Sequence, residues 1–120
     1  MTDIVDIALS ASASNVADEI LSLGFFKNKS DVMTFAAAYV IKNHFGSFEP
    51  STYYQPNTNG SNYSFSTFDS DGKWSSLIKA LYPETETPYL YLRALMNHGL
   101  LLIEQKMRDD SAYSLLNEIK

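Results

Sequence analysis

The stretch FFKNKSDVMTFAAAYVIKNHF, from Phe25 to Phe45, decides the predicted fold of this 120-residue chain. Ser30 is a typical N-cap, and Asp31 follows in the first turn, where a negative charge interacts favourably with the helix dipole. Apolar residues then recur at helical spacing in two neighbouring stripes, and three of them are consecutive alanines. This pattern predicts a helix to about residue 43 or 44 that is buried on several sides.

Composition places the chain among ordinary globular domains. Hydrophobic residues make up 45% and charged residues 19%, and 120 residues suffice for one core, so we expect a single domain. The chain has no cysteine, which excludes disulfides, thiolate metal sites and cysteine nucleophiles, and we expect a cytoplasmic location. Neither a leader pattern nor an apolar run long enough to span a bilayer is visible, so no membrane association is expected.

The net charge of −5, from 14 acidic and 9 basic residues, argues against broad electrostatic attraction to nucleic acid. No lysine or arginine precedes Lys27, whereas four acidic residues do. Any nucleic-acid surface would therefore be local, and Lys27 with Lys29 is the first candidate.

A strand and a helix are predicted before this stretch. Residues Asp3 to Ser10 alternate in polarity, which is typical of a short strand. Asn15 with Asp18 resembles a capping box that opens a helix through about Leu23, and Gly24 fits the position just after that helix. One face of the strand carries Val5, Ile7 and Leu9, and the other carries Ile4, Asp6 and Ala8.

The predicted strand and two helices form a strand-helix-helix unit over residues 1–46. We predict that a loop or hairpin (47–72) and two to three C-terminal helices (73–120) follow it, which gives a mainly α (α+β) fold. Ser, Asn, Thr, Gly and Pro dominate from Gly46 to Gly72, with a strand or hairpin expected at Ser61 to Phe68. Lys73 to Leu81 is amphipathic and predicts a helix. Thr87 can cap the next helix, which Gly99 would end or interrupt. Residues 100–107 continue as helix or a short strand, and residues 111–119 form a terminal helix or frayed tail.

The predicted elements of residues 3–45 are a strand, a helix, a tight turn and a second helix that K-x-K-S-D opens. This arrangement resembles the ribbon-helix-helix family. The resemblance implies a homodimer in which the strands of two chains pair and the second helices cross closely at the alanines. A monomeric core, in which the alanines face another helix of the same chain, explains the pattern equally well. The residues expected at the interface are Val5, Ile7, Leu9, Phe35, Ala36, Ala37, Tyr39 and Val40.

In ribbon-helix-helix DNA-binding proteins, the paired strands enter the major groove and the second helix holds a phosphate at its N-terminus. By this resemblance, Lys27, Lys29 and the Ser30 amide would hold that phosphate. The strand departs from the pattern, because its outward positions lack the side chains that read base edges and Asp6 would repel phosphates. A DNA-binding transcriptional regulator is therefore the second hypothesis.

The segments FKNKSDVMTFAAAYVIKN and RALMNHGLLLIEQKM also resemble the small accessory proteins associated with Dnd systems, which accompany bacterial DNA phosphorothioation. This resemblance spans about Gly24 to Met107 and implies a role in anti-phage (antiviral) defence or DNA modification. The first hypothesis is thus a small dimeric adaptor that works by protein–protein contact with a partner in a multi-component system. The third is an acidic, phage-type inhibitor that occupies a partner's nucleic-acid site by charge mimicry.

The sequence contains no local motif for catalysis, cofactor binding or metal binding. His44 and His98 lie at predicted helix ends without metal-ligand spacing, and Asp69 and Asp71 in DSDG fit a turn better than a calcium loop. Neither a phosphate-binding glycine loop nor a G-x-S-x-G elbow occurs. We therefore expect no enzymatic activity, no cofactor and no metal.

The segment from Phe45 to Phe68 is rich in Tyr and Phe, which could stack on the bases of single-stranded nucleic acid. Such surfaces usually carry positive charge, but neither Lys nor Arg occurs between Phe45 and Gly72. Packing of these rings over the core or onto a protein partner is therefore the favoured interpretation.

Overall fold

The computed structural model describes residues 2–109, and within this range the chain is mainly helical, as predicted, with a small antiparallel sheet. A short 3₁₀-helix, Pro50–Thr52, lies in the connection between residues 46 and 61. The elements are β1 (Asp6–Ala8), α1 (Ala11–Ser22), α2 (Lys29–His44), β2 (Asn62–Ser64), α3 (Ser66–Asp69), α4 (Lys73–Leu81) and α5 (Pro88–Asp109). No helix in the described range is both long and apolar enough to cross a membrane.

The two predicted strands pair with each other. β1 is shorter than the predicted strand and runs antiparallel to β2, with Ile7 opposite Tyr63. The strand expected between residues 61 and 68 is therefore present, but its partner is the N-terminal strand rather than a hairpin neighbour. Because β1 pairs within the chain, the ribbon-helix-helix arrangement is not confirmed.

Helix α1 begins earlier than predicted, because Ser10 rather than Asn15 is its N-cap. The Ser10 hydroxyl accepts a hydrogen bond from the Ala13 amide at 3.2 Å. The Ser10 amide in turn donates to the side chain of Asn97 at 2.8 Å, so a residue of α5 fixes where α1 starts. At the other end, Gly24 has a φ of 88° just after the helix, as predicted.

Helix α2 ends at His44, as predicted, but its N-cap is Asn28 rather than Ser30. The Asn28 side chain accepts a hydrogen bond from the Asp31 amide at 3.0 Å, which satisfies one of the free amides of the first turn. The expectation that α2 is buried on several sides is confirmed. Its buried residues are Val32, Met33, Ala36, Ala37, Tyr39 and Val40.

Helix α4 has the predicted bounds, whereas the prediction that Gly99 ends or interrupts the next helix was wrong. α5 is one continuous helix of 22 residues that runs through Gly99. A Cβ atom at Gly99 would lie 2.3 Å from the Ala36 carbonyl oxygen, so the glycine permits a close crossing of α5 over α2. Residues 111–119 lie outside the described residues.

The core lies where α5 packs against α1, α2 and α4. Two polar side chains fasten the N-terminal segment to α5. The Asp3 carboxylate accepts hydrogen bonds from the amides of Tyr89 and Leu90 at 2.8 and 3.0 Å, and Asn97, which is fully buried, bonds to Ser10. The first turns of α5 are therefore held in a fixed position.

Candidate functional site

Two of the three residues expected to hold a phosphate make side-chain contacts within the chain. The Lys29 ammonium lies 2.7 Å from the Ser14 hydroxyl and 2.8 Å from the Asp18 carboxylate, and the Lys29 side chain is only 13% exposed. The Ser30 hydroxyl donates to the Asn28 side chain. Lys27 is exposed. Lys29 thus joins α2 to α1, and of the two lysines Lys27 extends into solvent.

The residues expected at a dimer interface lie mostly inside the chain's own core. Ile7, Leu9, Ala36, Ala37 and Val40 have no exposed surface, and Tyr39 is 6% exposed. Ala36 lies against Gly99 of α5 in the same chain, which agrees with the alternative that the sequence left open, whereas Ala38 is exposed. These buried residues have no surface left for a second chain. The two that keep exposed surface are Val5 and Phe35.

The two histidines have different positions. His44 ends α2, as predicted, but His98 lies in the middle of α5 rather than at a helix end. The His98 ring stacks on Phe48 with ring centroids 4.0 Å apart, and Tyr53 meets it edge-on at 5.8 Å. Burial, followed by the charge of His44, lowers the pKa of His98. Among residues 2–109, no three His, Asp or Glu side chains come together as a metal site.

The DSDG segment forms a turn, as predicted, and its first aspartate stabilises two helices. Asp69 is 3% exposed, and its carboxylate accepts hydrogen bonds from the amides of Trp74 and Ser75 at 2.6 and 3.0 Å. It also accepts one from the Tyr89 hydroxyl at 2.8 Å. Asp69 therefore caps α4 and fixes it to α5.

A serine beside a lysine can serve catalysis in some hydrolases. Here the Ser14 hydroxyl lies beside Lys29, but Ser14 is 7% exposed and is covered by Gly60 of the connection. Lys29 is also paired with Asp18, and a charged ammonium can only donate hydrogen bonds. This pair therefore joins α1, α2 and the connection and is closed to a substrate.

The aromatic segment packs largely over the core, which agrees with the favoured interpretation. Phe65 meets Tyr89 at 4.8 Å between ring centroids, and Phe48 stacks on His98. Tyr54, at 80% exposure, and Phe45, at 43%, are the exceptions. The rings therefore serve to attach the connection to α5.

A groove of about 440 Å³ lies between the 3₁₀-helix, the loop from α4 to α5 and the first turns of α5. We call it the Tyr91 groove. Its apolar lining comes from Pro50, Leu90, Tyr91 and Ala94, and its polar lining includes Ser51, Tyr53, Glu84, Thr85 and Arg93. It combines aromatic and aliphatic surface with charges of both signs.

Charged residues affect the ionisation of two tyrosines in and near the Tyr91 groove. Burial raises the pKa of Tyr53, and the charge of Arg93 partly offsets this rise, which places the guanidinium close to Tyr53. Burial raises the pKa of Tyr82 as well, and the carboxylates of Glu49 and Glu84 raise it further. The Tyr82 ring lies 5.5 Å from that of Tyr91, between centroids.

Sequence reasoning missed the Tyr91 groove, because the segment YPETETPY (residues 82–89) was interpreted only as the boundary between two helices. The available signal was a pair of glutamates between two prolines, a rigid and charged connection. The opposite wall of the groove comes from residues 50–53, about 30 positions earlier in the chain, and nothing local predicts that contact.

Known proteins provide no relative for comparison: no protein-family model, curated protein or solved structure matches this chain. The relationships to ribbon-helix-helix proteins and to Dnd accessory proteins stay predictions from the sequence.

A second groove, of about 480 Å³ and more open, lies between the C-terminal ends of α2 and α5 and includes His44 and Leu102.

Proposed function

We propose that this protein is a small, non-enzymatic adaptor that binds a segment of a partner protein in the Tyr91 groove. The observation that carries the proposal is a concave surface in which Tyr91 and Leu90 lie beside charged residues of both signs. Tyrosine is enriched at protein interfaces, where a buried apolar centre is surrounded by a polar rim. A volume of about 440 Å³ is within the range of binding pockets and suits a few residues of peptide.

The floor of the groove is rigid before any partner arrives. Asp3 binds the amides of Tyr89 and Leu90, and Asp69 binds the Tyr89 hydroxyl, so the first turn of α5 is held from two sides. A preformed site loses less conformational entropy on binding than a flexible one. This rigidity favours a binding role.

The wall of the groove that residues 50–53 form is attached to α5 by aromatic contacts. Phe48 stacks on His98, and Tyr53, which lines the groove, packs edge-on against both rings at 5.9 and 5.8 Å. The 3₁₀-helix lies between these two anchors. Both walls of the groove are therefore connected through α5.

The setting implied by the Dnd resemblance, a bacterial anti-phage defence or DNA-modification system, would supply such a partner. The net charge of −5 suits a protein that binds other proteins without associating broadly with the nucleic acid they handle. The adaptor would then be encoded beside its partner, and the gene neighbourhood is the first place to look.

The experiment that tests this proposal blocks the groove without changing the core. Ser51→Trp places an indole at the rim, and Ser76→Trp adds the same side chain at an exposed position of α4 that does not line the groove. We expect tagged wild type and Ser76→Trp to co-purify the same neighbouring-gene product, and Ser51→Trp to lose it. All three proteins should have the same melting temperature and the same mass by light scattering.

Equal capture of the partner by both variants would contradict the proposal. If no protein co-purifies, but the wild type is retained on duplex DNA at low salt and Lys27→Ala is not, the protein is a DNA-binding regulator instead.

A further inference from the structure

We infer that Arg93 anchors the partner segment in the Tyr91 groove by pairing with one aspartate or glutamate side chain, while an apolar side chain of the same segment packs on Leu90 and Ala94. All three residues line the groove from α5. This inference rests on the proposed adaptor function and specifies the chemistry of the partner.

The first argument is a guanidinium group without a partner. Arg93 is half-buried, and its side chain makes no hydrogen bond or ion pair within residues 2–109. Arg108, by contrast, is 74% exposed and still pairs with Glu104 at 3.3 Å. Arginine side chains that are withdrawn from water are usually paired. A carboxylate suits this position, because its two oxygens can accept parallel hydrogen bonds from one guanidinium group.

The second argument is a further hydrogen-bond donor in the same groove. Tyr53 lines the groove from the connection, and its hydroxyl has no hydrogen-bond partner in the part of the chain that the structure describes. Burial raises the pKa of Tyr53, and the charge of Arg93 partly offsets this rise, so the two groups lie near each other. A carboxylate bound to Arg93 can therefore also accept a hydrogen bond from the Tyr53 hydroxyl.

The third argument is the apolar surface beside Arg93. Leu90 is half-buried, so part of its side chain stays accessible in the groove. Residues three positions apart on a helix have Cβ atoms about 5–6 Å apart. In an extended segment, side chains two positions apart share a face at about 6–7 Å. An acidic and an apolar residue two positions apart therefore match the spacing of Arg93 and Leu90.

Two glutamates limit how much negative charge the groove accepts. Glu84 and Glu86 also line it, in the loop before α5. Arg93 lies about 7–8 Å further along the helix axis than Pro88, the first residue of α5. One carboxylate can pair with Arg93 at that distance from the loop, whereas several acidic residues or a nucleic-acid backbone would be repelled by the glutamates. The inferred occupant is therefore a peptide segment with a single carboxylate.

The test uses two capped peptides, acetyl-Ala-Leu-Ala-Glu-Ala-amide and the same peptide with Gln in place of Glu, titrated into the full ¹⁵N-labelled chain. The two peptides have nearly the same shape and differ in charge. We expect the glutamate peptide to give saturable shifts at the amides of residues 84–94 and to bind about tenfold more tightly than the glutamine peptide. This ratio should shrink as salt is added.

Arg93→Gln should make the two peptides bind equally. Arg108→Gln makes the same change at an exposed position of α5 outside the groove and should preserve the preference. The inference is overturned if the wild type binds the two peptides equally, or if Arg93→Gln keeps the preference. It is also overturned if the glutamate peptide shifts amides elsewhere or fails to bind at its highest soluble concentration.

Failure of the inference can be distinguished from failure of the adaptor function. If Ser51→Trp abolishes capture of the natural partner while Arg93→Gln leaves it intact, the groove binds the partner but the carboxylate anchor is refuted. If Ser51→Trp leaves capture intact, the adaptor function of the groove fails.

Discussion

The crossing of α2 and α5 and the connection from residue 46 to residue 61 are held by different means. At the crossing, Gly99 lies directly against the backbone of Ala36 and the side chain of Val40. The connection is instead attached at separate points: Phe48 stacks on His98, Asn57 accepts a hydrogen bond from the Ala11 amide at 2.9 Å, and Gln55 donates one to the Ala8 carbonyl at 3.0 Å.

This difference determines how each region responds to a change. Two long helices with touching backbones cannot separate locally, because every neighbouring contact would have to move with them. A connection fastened at a few separate contacts can shift at one point while the others hold, so its opening free energy is lower. The groove joins the two regions, since one wall belongs to α5 and the other to the connection.

Gly99→Ala should give the largest loss of stability. Alanine is intrinsically better than glycine in a helix by about 1 kcal/mol, but its Cβ would overlap the Ala36 carbonyl oxygen. We expect a net loss of about 1–3 kcal/mol in the free energy of unfolding, measured by urea denaturation. Gly46→Ala is the control, because a Cβ there has no neighbour within 4 Å. An unchanged urea midpoint for Gly99→Ala would show that the helices do not cross this closely.

Gly60→Ala tests the same kind of close approach in the connection. Its Cβ would lie 2.5 Å from that of Ser14 and 2.6 Å from the Ser10 carbonyl oxygen. The connection can move away, so we expect a loss of about 1 kcal/mol, comparable to the hydrogen bond from the Gly60 amide to Leu9. Hydrogen exchange should accelerate at residues 60 and 61 but not in α5. A loss equal to that of Gly99→Ala would remove the distinction between the two regions.

Lys29→Ala, compared with Lys27→Ala, measures a polar link between helices. Lys29 bonds to Ser14 and Asp18, but Asp18 is 61% exposed, and ion pairs with an exposed partner contribute little. We expect Lys29→Ala to lower the free energy of unfolding by about 0.5–1 kcal/mol and Lys27→Ala to leave it unchanged. Equal values from denaturant titrations of the two variants would argue that Lys29 is not engaged in this way.

His98→Phe should have the smallest effect, visible as a change in pH dependence. The pKa of His98 is lowered in the folded protein from its ordinary value of 6.5, so the unfolded chain takes up the proton first on acidification. Stability should therefore fall as the pH drops through 6.5 and be unaffected well above it. The phenylalanine variant keeps a ring against Phe48 and should show a shallower decline. Parallel profiles from thermal unfolding at a series of pH values would count against a lowered pKa of the half-buried His98.

Some elements could be predicted because their signals are local. The bounds of α4 follow from its amphipathic pattern between Gly72 and Pro83, and the end of α2 follows from its apolar stripes. The start of α1 could not be predicted, because Ser10 is fixed by Asn97, 87 positions along the chain. Gly99 was misinterpreted because its low helix propensity is a local signal, whereas its close contact with Ala36 is not.

The candidate site was the least predictable part. Its charged residues are visible in the sequence, but a groove exists only where segments distant along the chain come together. Neither residues 82–89 nor residues 50–53 carry a binding motif. The phosphate site stays a prediction, and the sequence did not show that its Lys29 contacts Ser14 and Asp18 of α1.

The sequence by itself determined the helices α2 and α4, the early strand and the acidic balance of charge, because helical periodicity, caps and composition act over a few residues. Tertiary structure alone decided which strand pairs with β1, which helix covers the alanines and where the groove lies. Those choices depend on backbones that meet across the whole chain, and the free energy of such contacts is not encoded at any one position.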